Sequence, residues 1–359
     1  MSSVSASMAM FLTMVVSASG FAQSIDSERF RPAQDPNGFV TIDSTQMPAN
    51  KQWRLGFWSQ YAYRPVRLYV PNRVNVIDHR LAMDAQLSIG IKGRAAIGLD
   101  LPFAAYQASD AGMNDAGSAM GDPRITTRVR VFGPNTKTKD ETVDGPGVAV
   151  LMAVPIPIGT EDKLYSERQF AFDLKALADF HLLGSGAGVM LGWRFRGHER
   201  ALGNTSLQQE LLYGFGIKAP IPVKANFSGV LELRGSTGFN GKRTNTLETD
   251  AGIAYSVKGM TVTAIIGAGI VRGFGVPAVR AALGLSWSAP TKDSDHDGIE
   301  DSVDQCPRLP EDFDGFQDED GCMDPDNDND LIPDEDDKCP NEEALEGRDA
   351  DEDGCTDPE

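Results

Sequence analysis

The stretch VKANFSGVLELR, residues 223 to 234, alternates as a strand does. Val223, Ala225, Phe227, Gly229, Leu231 and Leu233 fall on one face, with Lys224, Asn226, Ser228, Glu232 and Arg234 between them. Successive side chains of a strand point to opposite sides, so this strand has one apolar and one charged face. The pattern recurs in LAMDAQLSIG (81 to 90), RAAIGLDLPF (94 to 103), RITTRVRVF (124 to 132), LETDAGIAYSV (247 to 257) and VRAALGLSW (279 to 287). Weaker runs lie near 53 to 61, 148 to 155, 170 to 181, 189 to 196, 207 to 218 and 261 to 270. Together they predict an all-β fold with about 12 strands of a length suited to a bilayer crossing.

The connections favour an antiparallel transmembrane β-barrel over residues 30 to 290. Tight turns (GIKG, LGSGAG, APIPV, SVKGM) alternate with longer segments such as AYQASDAGMNDAGSAMGD, as in outer-membrane barrels. GPNTKTKDETVDGPG breaks the rule by being long on the short side. Trp53, Phe57, Tyr61, Phe132, Trp193, Phe195, Tyr255 and Trp287 sit near strand ends or on the apolar face, where an interfacial girdle belongs. A soluble β-sandwich is the alternative. The barrel reading turns Asp84, Arg94, Asp100, Arg124, Arg128, Arg130, Asp173, Lys175, Asp179, Arg194, Arg196, Glu210, Lys224, Glu232, Arg234, Glu248 and Asp250 inward. Buried charges need partners or water, so these predict an ion-pair network that closes much of the lumen.

Ahead of the barrel, MAMFLTMVVSASGFAQS has a short apolar run and then small residues up to Ala22. This predicts an export signal at 1 to 22, although no Lys or Arg precedes the apolar run. An even strand number returns the chain to the side it entered from, which predicts an outer-membrane location with the C-terminal tail in the periplasm.

That tail differs in charge. Residues 291 to 359 hold 29 acidic and four basic groups, a net of −25, leaving +6 for residues 1 to 290. DSDHDGIEDSVDQCP (293 to 307) repeats after 33 positions as DNDNDLIPDEDDKCP, and DEDGCMDP (318 to 325) repeats as DEDGCTDP (351 to 358). So few apolar residues cannot offset the ordering entropy, and something other than a core must fold the segment. From Asp293, carboxylates fall at positions 1, 3, 5, 9 and 12 (Asp293, Asp295, Asp297, Asp301, Asp304), with Gly298 at 6 and the Ile299 carbonyl at 7. This is the oxygen spacing of a calcium loop with Asp in place of the final Glu. The second copy offers Asp326, Asp328, Asp330, Ile332, Asp334 and Asp337, but Leu331 stands where a tight turn prefers Gly. Asp318, Asp320 and Asp324, and likewise Asp351, Asp353 and Asp357, form shorter secondary sets. Hard oxygen donors without His or thiolate predict Ca2+.

Pro307, Pro310, Pro325, Pro333 and Pro340 argue against flanking EF-hand helices. The D-x-D-x-D-G-x-x-D-x-x-D-x-C-P run resembles the thrombospondin type 3 repeat over residues 293 to 358. The resemblance implies carboxylates neutralised by calcium and loops stapled by disulfides. Cys306 and Cys322, like Cys339 and Cys355, are 16 apart, which fits one bridge per unit; four cysteines allow three pairings. With its signal, barrel and tail, the chain resembles OmpA-like outer-membrane proteins that carry such repeats. It ends without the peptidoglycan-binding domain usual in that family.

Catalytic patterns are weak, and an enzyme is not expected. Four histidines lack metal-ligand spacing, and no phosphate-loop, dinucleotide or nucleophile-elbow motif occurs. GSGAG (184 to 188) reads as a hairpin turn, and nucleic acid would be repelled by the tail. Three function classes remain. The first is a structural or envelope-organising outer-membrane protein with a calcium-stiffened stalk, contacting lipid and a periplasmic protein or cell-wall component. The second is a passive pore for small solutes. The third is a secreted calcium-dependent adhesion protein.

Overall fold

A computed structural model of the protein describes residues 25–359, apart from 36–37, 71, 110–115, 134–143, 161–162, 203–204, 223–225, 240–243, 291, 300, 302–303, 319, 345–346, 351–352 and 357–359. The predicted export signal, Lys224, Asp351 and Asp357 lie outside the described residues. The strands are β1 (Trp53–Val70), β2 (Asn72–Ile91), β3 (Ala95–Ala108), β4 (Gly117–Met120), β5 (Arg124–Phe132), β6 (Gly145–Pro155), β7 (Ala171–Leu182) and β8 (Ser185–Arg196). After them come β9 (Arg200–Leu202), β10 (Thr205–Leu207), β11 (Glu210–Pro220), β12 (Phe227–Gly238), β13 (Thr246–Val257), β14 (Met260–Val271) and β15 (Val279–Ser288).

Twelve of these close into an antiparallel barrel in sequence order. The ring is β1-β2-β3-β5-β6-β7-β8-β11-β12-β13-β14-β15, sealed by β15 against β1 from Arg54↔Ser288 to Tyr63↔Val279. Closure leaves no edge strand, which is what a sheet in lipid requires. Each of the 12 predicted strands coincides with one of the ring. The short β4 pairs with β3, and β9 with β10 forms a separate hairpin.

Polarity separates this barrel from a sandwich. Leu231 is 47% exposed while its neighbour Glu232 is 1% exposed, so the apolar face is outward and the charged face enclosed. A soluble sandwich would show the reverse. Trp53, Phe57, Tyr61, Phe132, Tyr255 and Trp287 are exposed on the outside. The outward face therefore offers lipid a band of aromatic and aliphatic side chains.

Fourteen of the predicted inward charges are buried, and Arg194 is partly so while paired with Asp173. Arg94 is a correction. Lys92 and Gly93 have φ of 50° and 58°, a two-residue hairpin turn that delays β3 until Ala95 and leaves Arg94 exposed in the turn. A second difference is length. β1 and β2 extend past the predicted 61 and before the predicted 81 as an overhanging hairpin, bent by bulges between Tyr63 and Arg67.

Residues 291–359 make a separate compact unit. Among its described residues there is no helix or strand, and Cys306–Cys322 and Cys339–Cys355 are its disulfides, the one-per-unit pairing.

Candidate functional site

The lumen is filled, and the filling is the chain's own N-terminal segment. Residues 25–52 precede β1 and are nearly all buried inside the barrel. They begin at the end bearing the long connections, where Ile25 packs with Val66, Val76 and Ile77 of the overhanging hairpin and with Leu164, Leu207 and Phe274. The segment turns back on itself, with Ala33 N donating to Val40 O at 2.8 Å. It leaves at the short-turn end, where Lys51 N donates to Gly90 O at 2.9 Å. It thus threads the lumen from one mouth to the other.

Between its ends the segment joins no strand ladder, so the wall supplies side chains to its amides and carbonyls. Glu232 accepts from Thr41 N at 3.0 Å and Thr41 Oγ1 at 2.7 Å, and also from Val40 N. Asp179 accepts from Thr45 N at 2.6 Å and from the Thr45 hydroxyl. Carbonyls are met in the same way: Arg128 Nη1 donates to Ser44 O at 3.0 Å and Arg130 Nε to Thr45 O at 2.8 Å. Charged partners make these bonds stronger than amide–amide ones.

Ion pairs and packing complete the seat. Arg29 meets Glu210 at 3.0 Å, Asp35 meets Arg54 at 3.0 Å and Glu28 meets Arg80 at 3.5 Å. Wall pairs such as Arg194–Asp173 at 2.6 Å and Arg280–Glu248 at 2.7 Å surround them. The expected ion-pair network is therefore present, with the N-terminal segment as one of its two sides. Phe39, Ile42 and Met47 pack against Ala96, Ala149, Leu151, Leu177 and Met190, while Phe30 and Val40 pack against Trp58, Val230, Ile265 and Ala282. Wall glycines make the room. A Cβ on Gly147 would stand 1.9 Å from Thr45 Oγ1, and one on Gly188 would stand 2.5 Å from the Phe39 ring. Sequence reading missed this segment; glycines at lumen-facing strand positions were the signal that could have revealed it.

In the tail, two predicted sets converge. Carboxylate oxygens of Asp293, Asp295 and Asp297 lie within 4.8 Å of one another, as do those of Asp326, Asp328 and Asp330. Asp304 is buried with Oδ2 unpartnered, and burial with the charges of Asp295, Asp297 and Asp301 pushes its carboxyl above the usual range. Buried, unpartnered oxygens of Asp324, Asp334 and Asp337 add to the count. Like-charged oxygens packed without donors fit a hard cation. Asp301 differs: its Oδ2 takes Lys292 Nζ at 2.6 Å and Ser294 Oγ at 2.9 Å, which holds its carboxyl below the usual range. Asp353 is similarly tied to Lys338 at 2.5 Å, and Asp318 and Asp320 accept from Gly315 N and Cys322 N. The amides of Ile299 and Ile332 donate to Asp297 and Asp330. Gly298 has φ 96° and Leu331 φ 79°, so the second loop places a leucine in a left-handed conformation that costs about 1–2 kcal/mol. Glu311 was not predicted. It is 6% exposed with both oxygens unpartnered, and its amide donates to Asp297 Oδ2 at 3.1 Å. It lies outside the D-x-D spacing, so the repeat did not point to it.

No protein-family model matches the chain, and no curated protein does. Among solved structures, an outer membrane channel from Pseudomonas putida F1 is 14% identical with a TM-score of 0.52, covering 68% of this chain and 98% of that one. The NanC porin is 8% identical with a TM-score of 0.41, covering 65% and 98%. The translocator domain of the autotransporter NalP from Neisseria meningitidis is 10% identical with a TM-score of 0.39, covering 67% and 88%. The first of these shows the fold, an outer-membrane type of β-barrel.

Proposed function

We propose that the protein is an outer-membrane channel of a Gram-negative bacterium, closed at rest by its own N-terminal segment, which shifts to let a small solute cross. The observation that carries this is the segment's path: residues 25–52 run from mouth to mouth and are held by side-chain hydrogen bonds and ion pairs, all of them reversible. A ring of 12 strands is wider than the barrels of about eight strands that wall side chains can fill, so the segment is what closes this lumen. The channel neighbour supports the reading through its fold. The test compares conductance in planar bilayers of the full chain and of a variant lacking residues 25–47. Brief, small openings should become large and steady ones. A large steady conductance from the intact chain, or no change on deletion in a variant that still migrates as a folded barrel, overturns it.

The paired sets of half-buried carboxylates favour a second role, which is compatible with the first. Residues 291–359 act as a calcium-ordered, disulfide-stapled extension of the thrombospondin type 3 kind, on the periplasmic side given the even strand number. There it would contact a periplasmic protein or the cell wall. Calorimetric titration of the whole protein with calcium, before and after Asp297→Asn and Asp330→Asn, tests this. Equal heats in both would exclude these sites.

A further inference from the structure

A chamber of about 70 Å³ lies between the N-terminal segment and the barrel wall. Its lining brings together five cations: Arg29 and Arg31 from the segment, Lys175 from β7, Arg194 from β8 and Arg234 from β12. Among the described residues, Glu248 is the one acid on the lining, and it is engaged by Arg234 at 3.0 Å and Arg280 at 2.7 Å. The carboxylates that partner the other arginines, Glu210, Asp26 and Asp173, do not line the chamber.

Several donors at the chamber are unused. Arg29 Nη2 and Arg31 Nη1 are buried without a hydrogen-bond partner. Lys175 is buried, with its Nζ 4.0 Å from a carboxylate oxygen of Asp43. Donors left unmade in a low-dielectric interior are costly, and guanidinium groups match oxyanions with two parallel bonds. The volume fixes the size of what would satisfy them. One water needs about 10–15 Å³ measured this way, whereas pockets for drug-sized molecules run to about 300–1,000 Å³. The chamber is too large for one water and too small for a sugar or nucleotide.

We propose that this chamber binds one small oxyanion, of the size of phosphate, sulfate or a short carboxylate, which bridges segment and wall. Arg29 and Arg31 reach the anion from the segment, and Lys175, Arg194 and Arg234 reach it from three strands, so its binding secures the seated segment. The site is independent of the channel reading, because it depends on the seated state and not on conduction.

The test is calorimetric titration of the full-length protein in detergent with inorganic phosphate, with sodium acetate as a second arm and sodium chloride as the reference. Saturable binding of one phosphate per chain is expected, weakened at least tenfold by Lys175→Met and by Arg31→Gln, with heat-modifiable gel migration confirming a closed barrel in each. Tighter binding of acetate than of phosphate would identify the carboxylate as the ligand within the same class. No saturable binding of either anion to the unmodified protein at millimolar concentration, or unchanged affinity in either folded variant, overturns the proposal.

Discussion

Replacing Glu232 by Ala removes one latch of the N-terminal segment and leaves the wall intact. The Glu232 carboxylate accepts from the amides of Val40 and Thr41 and from the Thr41 hydroxyl. Its strand neighbour Arg234 keeps Asp250 and Glu248 as partners, so β12 loses no pairing of its own. Hydrogen bonds to a charged group contribute about 1.5–3 kcal/mol each, and water entering the vacated space will satisfy part of what is lost. A net loss of about 3 kcal/mol is the expected scale for three such bonds with partial rehydration. At 1.4 kcal/mol per decade, the ratio of displaced to seated segment rises by roughly a hundredfold. The segment should still spend much of its time seated, because burying Ile25, Phe30, Phe39, Val40, Ile42 and Met47 contributes about 1.5–3 kcal/mol for each. Single-channel recording in planar bilayers measures this directly: open probability should rise by about two decades with the open-state conductance unchanged. A folded Glu232→Ala protein with the open probability of the unmodified chain refutes the latch.

Changing Arg128 and Arg130 to Ala should increase conductance as well, since both donate to segment carbonyls; equal currents would show that the segment does not need them. Gly147→Val sets a Cβ only 1.9 Å from where Thr45 Oγ1 sits, so protease should cut the segment faster in this variant than in the unmodified protein, while the barrel resists. In the metal-free tail, burial and neighbouring carboxylates raise Asp304, Asp324 and Asp328 above the usual carboxylate range. A raised carboxyl favours the folded form when protonated, so the metal-free tail loses stability as pH rises through that raised range, where a cation can replace the proton. Calcium affinity measured by titration should therefore fall as pH is lowered into that range, and an affinity independent of pH would argue against these carboxylates as ligands.

The barrel was legible because period two survives in lipid with its polarity inverted. At β12, Leu231 and Glu232 distinguish the outward from the inward face, and every wall strand but β6 and β14, which hold no charged residue, carries a charge on its inner face. Many lumen charges were legible for the same reason; Arg94 was moved out of its strand by a two-residue turn, and Arg54, Arg80 and Arg280, buried on the inner face, were not among those predicted. The segment at 25–52 was not legible because it has no period. Its order comes from single side chains far along the chain, as where Arg280 meets Glu28 across 252 positions. In the tail, regular spacing exposed the sets at 293–297 and 326–330. There Asp301 and Asp353 pair with Lys292 and Lys338, and the spacing did not point to the buried Glu311.

The threaded lumen also constrains the order in which the molecule can assemble. The ring is completed only when β15 finds β1, so Arg54 waits for Ser288, the last residue of the final strand. Contacts of such separation form late, because the entropy of closing the intervening chain must be met first. The segment's partners are spread over the ring: Glu210 on β11, Glu232 on β12, Asp179 on β7 and Arg280 on β15. No partly zipped sheet presents them all around one axis. Full seating of residues 25–52 thus reports a finished barrel, and a chain stalled before closure leaves Phe30, Phe39 and Ile42 in water, where folding chaperones and proteases can find them.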